Sequence, residues 1–151
     1  AILLISAHWE TEGAVHVSAQ AHHTELYYDY EGFPDETYQI EFQPKGDLAL
    51  SQKVVHLLNG AGIDAVMNSE RNFDHGVFIP LKLMYPHADI PVVSMSILGD
   101  YSPEQHIAIG KALSSLRKEG VLIIGSGSIT HGRASGSQSH AFVDAVTNTL
   151  Q

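Results

Sequence analysis

The chain has 151 residues, no cysteine and a formal charge of −9, from 17 acidic and 8 basic side chains. Disulfides, thiolate catalysis and cysteine-held zinc are therefore excluded, and the acidic balance argues against a nucleic-acid partner, which needs a basic face. A composition of 44% hydrophobic and 17% charged residues suits one packed domain, and the apolar runs fall far short of the ~20 residues that cross a bilayer. No basic segment followed by an apolar stretch marks a signal peptide, so the expectation is a cytoplasmic protein without a membrane partner.

In chain order, residues 1–6 (AILLIS) predict a fully buried strand. It stops at SAHW, where His8 and Trp9 replace the usual small turn residues. Residues 26–44 are aromatic and turn-rich, with a GFP turn signal and an alternating YQIEF that predicts a short strand. Residues 47–60 predict a helix capped by Asp47, striped by Leu50, Val54, Leu57 and Leu58, and closed by Gly60. Residues 63–67 (IDAVM) predict a strand. HGVFIPLKLMYP predicts a helix interrupted near Pro80, and residues 90–97 (IPVVSMSI) a β-branched strand. Residues 102–120 give the clearest helix, with Ser102 as cap, Pro103 in the first turn and Gly120 at the end. VLIIGSGS then reads as a buried strand entering a glycine-serine turn, and SHAFVDAVTNTL as a last helix.

This alternation predicts an α/β fold, a largely parallel central sheet flanked by helices, with an active site at the strand carboxyl ends. The chain starts inside a strand pattern at Ala1. The expectation is one domain over residues 1–151, incomplete at both ends and part of a longer protein.

Ten histidines stand in this length. Three follow predicted strands: His8, His75 in FDHG, and His131 after GSGSIT. If the strands are parallel, all three face one edge of the sheet. His8 reads either as a metal ligand on a rigid strand end or as a core histidine bonded to a carbonyl. His75 reads either as a group presented to a substrate beside Gly76 or as a loop histidine with a capping Asp74. The loop before His131 is rich in backbone donors and suits an oxyanion or phosphate. It lacks the lysine of a phosphate loop and is not a GxSxG elbow, and no HExxH is present, so hydrolases of those types are disfavoured. The other histidines, His16, His22, His23, His56, His87, His106 and His140, are expected mostly at the surface.

SAHWET, YDYEGFPDETYQIEF, RNFDHGVFIPLKLMYPHADIPVVSMSI and LRKEGVLIIGSGSITH, taken in order, resemble the class III extradiol ring-cleavage dioxygenases, in the 4,5-DOPA dioxygenase branch. The similarity runs to about residue 131 and is loose in the tail, where Gly132 stands in place of the family's usual asparagine. The resemblance implies non-haem Fe(II), with zinc able to occupy the site, and a small aromatic diol and O2 as partners. It gives His8 the role of metal ligand, His75 that of an active-site residue in catalysis and substrate binding, and His131 that of the acid/base. It also implies that two further metal ligands fall outside residues 1–151, so that this stretch alone is expected to hold no iron tightly. A metal-dependent hydrolase and a non-catalytic binding protein of the same fold are the alternatives. Formation of a homo-oligomer stays open.

Overall fold

The computed structural model describes residues 1–127 and 136–150. Five strands, β1 (Ile2–Thr11), β2 (Val15–Ser18), β3 (Ala65–Asn68), β4 (Val92–Leu98) and β5 (Leu122–Ser126), form one sheet in the order β3-β2-β4-β1-β5. The helices are α1 (Leu48–Gly60), α2 (His75–Met84), α3 (Pro103–Leu113) and α4 (Gly136–Leu150). The predicted α/β layering is present. Among the described residues no helix is long and apolar enough to cross a membrane.

Alternation along the strands splits the core between the two faces of the sheet. Leu3, Val93 and Met95 pack with Val54 and Leu58 of α1 and with Ile109 and Leu113 of α3. Ile2, Leu4 and Val92 pack with Phe73 and with Val77, Phe78 and Leu81 of α2. The helix caps follow the sequence: the Asp47 carboxylate accepts from Leu50 N–H at 2.9 Å, and Ser102 accepts from Gln105 N–H at 3.3 Å.

Several expectations need correction. β1 does not end before His8 but runs on to Thr11. The sheet is largely parallel, as expected, with one exception: β4 and β5 lie parallel to β1 and β3 lies parallel to β2, whereas β2 meets β4 antiparallel through Val17 and Met95. YQIEF forms no strand. Asp35–Gln39 winds into a 3-10 turn, and the Ile40 carbonyl accepts from the Tyr28 hydroxyl at 2.7 Å instead of from a neighbouring strand. The helix expected through residue 120 is α-helical only to Leu113, then 3-10 over Ser114–Glu119, closing on Gly120 at φ 76°. Leu113 and Leu116 are both buried, and a three-residue turn keeps them on one face.

Pro80 lies within α2 without interrupting it. A proline has no N–H to give the carbonyl four residues earlier, here Gly76. The Ser126 hydroxyl, at the end of β5, donates to that carbonyl instead. The carbonyl freed by the proline thus ties the first turn of α2 to the end of β5.

Candidate active site

SAHW is the irregular part of β1. Between the pairs Ile5–Met95 and Glu10–Ile97, β1 carries Ser6, Ala7, His8 and Trp9 where β4 carries only Ser96. Such a bulge re-aims side chains. Here it buries Ser6 and Trp9 and turns His8 outward. The core-histidine reading of His8 therefore fails.

A polar network built on the buried Ser6–Asp74 pair fixes the His8 backbone on both sides. The Ser6 hydroxyl accepts from His8 N–H at 3.2 Å and donates to Asp74 Oδ1 at 2.7 Å. Arg71 Nη2 donates to the His8 carbonyl at 3.1 Å and to Asp74 Oδ2 at 3.3 Å. Arg71 is itself held over the Tyr27 ring at 4.6 Å. Asp74 precedes α2 yet makes no side-chain cap bond, because its carboxylate is spent on Ser6 and Arg71. The capping-aspartate reading of His75 fails for that reason.

His75 opens α2, and its ring lies 4.1 Å from that of His8, centroid to centroid. Its carboxylate partner is Asp29, from the aromatic YDYEGFP segment. Asp29 Oδ1 accepts from the His75 backbone N–H at 2.9 Å and lies 2.8 Å from His75 Nδ1, while Oδ2 lies 3.9 Å from His8 Nδ1. Burial alone would raise the Asp29 carboxyl; the two His75 donors outweigh it and hold the group below its ordinary range. Gly76 makes the close approach feasible, since a Cβ there would lie 2.9 Å from His8 Cδ2 and 2.9 Å from Ser6 Oγ.

His8, Asp29 and His75 each offer a ligand atom within 4.8 Å of the others. Two imidazoles and one carboxylate suit a divalent cation that takes nitrogen and oxygen donors, such as iron or zinc. Two cavities open beside them. One, of about 330 Å³, is bordered by His8, His75, Gly76, Ile79, Pro80, Ser126 and Gly127. The other, of about 270 Å³, is lined by Tyr30, Phe33, Thr37, Ile40, His75 and Ile79.

The structure thus brings His8 and His75 together. The parallel-strand argument for their meeting does not hold, because β3 runs against β1. They meet because β3 is short and the segment after it reaches β1 through Arg71 and Asp74. His131 lies outside the described residues, although Ser126 and Gly127 of its loop border the first cavity. Asp29 is the residue that sequence reasoning misses. An acid amid tyrosines, in a segment without regular structure, carries no periodic signal. Of the other histidines, His22, His56, His87 and His140 are exposed, and His16 and His106 are partly buried. His23 corrects the surface expectation, being only 1% exposed and stacked on Phe73 at 3.8 Å.

The sequence profile of the family described as the catalytic LigB subunit of aromatic ring-opening dioxygenase matches residues 1–148. The chain belongs to this family. A 4,5-DOPA dioxygenase extradiol of Beta vulgaris is 44% identical over 133 residues, covering 87% of this chain and 48% of the relative. The dioxygenase tasH of Hapsidospora irregularis is 42% identical over 128 residues, covering 84% of this chain and 39% of the relative. The crystal structure of an uncharacterized protein from Escherichia coli K12 matches at TM-score 0.69 and 34% identity, over 87% of this chain and 48% of that one. This family member therefore spans half or less of the length of these relatives.

Proposed function

We propose that the intact protein is an extradiol dioxygenase that opens a catechol-type ring with Fe(II) and O2. The observation that carries this reading is the His8–Asp29–His75 cluster, set beside an aromatic-lined cavity in a chain of the ring-opening family. The carbon–carbon bond next to the diol breaks, and both oxygen atoms of O2 enter the product. The Beta vulgaris relative is named for DOPA; for this protein the substrate class proposed is the catechol diol.

His8 would hold the metal, with its backbone anchored by Ser6 and Arg71 so that the imidazole is already placed. When bound, Fe(II) supplies coordination for diol and O2 and stabilises negative charge. Asp29 orients His75: a carboxylate that accepts from Nδ1–H leaves Nε2 free to take a proton from a substrate hydroxyl and return it later. The family resemblance of GSGSITH assigns His131 the acid/base role beside His75.

Two variants of the intact protein test the assignment. His8→Ala should lose most of the bound iron and keep the fold, by circular dichroism and metal analysis. His75→Ala should keep the iron and lose ring opening by about 10²- to 10⁴-fold in kcat, the usual span of a proton-transfer group. Product formation should cease without O2. Loss of iron from His75→Ala would make His75 a ligand together with His8 and Asp29. Full iron in His8→Ala would remove His8 from the ligand set.

A further inference from the structure

The cavity lined by Tyr30, Phe33, Thr37, Ile40, His75 and Ile79 has a chemical character of its own. Its polar side chains are turned to backbone. The Tyr30 hydroxyl donates to the Thr37 carbonyl at 2.7 Å, and the Thr37 hydroxyl donates to the Pro34 carbonyl at 2.8 Å. The rest of the lining is the Tyr30 and Phe33 rings and the Ile40 and Ile79 side chains, with His75 as the remaining polar residue. The Tyr30 ring meets the His75 ring edge-on at 5.7 Å and so continues the apolar wall up to the candidate reacting site.

Charge around this cup is one-sided. The segment that supplies Tyr30 and Phe33 carries Asp29, Glu31, Asp35 and Glu36 and no lysine or arginine. No cation lines the cavity among the described residues. Arg71 is engaged by Asp74 and the His8 carbonyl, and Lys82 donates to the Glu41 carbonyl. A carboxylate entering this cup would shed water, meet no lysine or arginine among the described residues that line it, and face like charge. An alkyl or aryl group would lose nothing, and each buried methylene strengthens binding by roughly fourfold. At about 270 Å³ the space accommodates a ring-sized group, since a dry cavity of roughly 150 Å³ holds a benzene.

We propose that this cup receives the ring substituent of a diol ligand and selects one that is apolar and uncharged over one bearing a carboxylate. The inference rests on the ring-opening reading for the identity of the ligand and deepens it to a substrate class, the catechols with an alkyl or aryl substituent.

The test uses the intact iron-loaded protein and two probes with the same diol, 4-ethylcatechol and 3,4-dihydroxyphenylacetate. Anaerobic calorimetry reads affinity without turnover, and kcat/KM is then measured in air. 4-Ethylcatechol should bind at least about tenfold more tightly, the discrimination that one unpaired polar group imposes. Phe33→Lys, at a half-exposed position that tolerates a charge, should collapse or invert the ratio of affinities. Equal or tighter binding of the carboxylate probe by the wild-type protein overturns the proposal. So does an unchanged ratio in Phe33→Lys. The predicted ratio without any cleavage in air supports the cup and overturns the ring-opening reading instead.

Discussion

Phe73 and His75 stand two residues apart, and each lies against another histidine ring, in opposite kinds of surroundings. His75 and His8 are about one-third exposed and share the Asp29 carboxylate. His23, stacked on Phe73, is 1% exposed, and neither of its ring nitrogens has a hydrogen-bond partner among the described residues. The same side chain is thus used twice, once as a wet, partnered group that can change its proton or bind a metal, and once as an apolar disc. The contrast shows what separates a site histidine from a core one here: a carboxylate within reach and a path to solvent. Three consecutive residues serve both regions. Phe73 stacks on the core histidine, Asp74 is locked to Ser6 and Arg71, and His75 opens into the site.

The largest effect expected from breaking this contrast lies at His23. Burial pushes its pKa from the ordinary 6.5 to about 4. The sign follows from proton counting. Between those two values the unfolded chain binds a proton that the folded chain does not, so stability is complete above pH 6.5 and falls as the pH drops towards 4. The whole loss is about 3 kcal/mol, at 1.36 kcal/mol per pKa unit. Asp29 contributes with a different window. Its carboxyl is held low, so its stabilisation is present above the ordinary carboxylate range and is lost only below it. Urea unfolding at pH 7 and pH 5 should therefore isolate His23. His23→Phe keeps the stacked ring on Phe73 and should flatten the slope between those two values. A slope that survives the substitution would place the titrating group elsewhere.

Gly76→Ala tests the partnered side. A glycine in an open helix position gains up to about 1 kcal/mol on replacement by alanine. Here the new Cβ would lie 2.9 Å from both His8 Cδ2 and Ser6 Oγ, and 3.0 Å from Asp74 Oδ1. Overpacking of that kind costs roughly 1–3 kcal/mol. Ser6 and Asp74 are pinned by their own hydrogen bond, so the His8 ring is the part able to yield. The expected outcome is a net loss of about 1 kcal/mol in thermal or urea unfolding, with weaker metal retention as the His8 imidazole is pushed from its place. A gain in stability would show that the two rings have room to spare.

Much of this arrangement was legible in the sequence, and the misses have physical causes. The α/β layering followed from apolar runs and helix stripes, and the Asp47 and Ser102 caps from residue type alone. His8 and His75 were marked by their unusual places. What sequence analysis did not supply was β2: the four-residue VHVS is too short to stand out as a strand, and neither its direction nor its place in the sheet could be read. Nor does spacing show that Asp29 reaches His75 across 46 residues while the adjacent Asp74 turns away to Ser6. His23 looked like its exposed neighbour His22, and only packing separates them.

The smallest expected effect sharpens how α2 presents His75. Pro80 leaves the Gly76 carbonyl without its helical donor, and the Ser126 hydroxyl takes the vacant place. Ser126→Ala removes that donor and leaves the carbonyl at the base of the first turn with water as its remaining recourse. A net hydrogen bond of this kind is worth about 1 kcal/mol. The loss should fall on the same turn that carries His75 rather than on the His23 region, which packs through Phe73 on residues preceding the helix. Amide hydrogen exchange separates the two regions. Ser126→Ala should speed exchange at Phe78 and Ile79, in the turn after Gly76, and leave His23 N–H, bonded to the Pro44 carbonyl, unchanged. Adding Pro80→Ala restores an N–H to the helix and should recover protection of the turn. Protection that stays lost in the double variant would mean that Ser126 supports α2 by packing and not by replacing the donor that proline lacks.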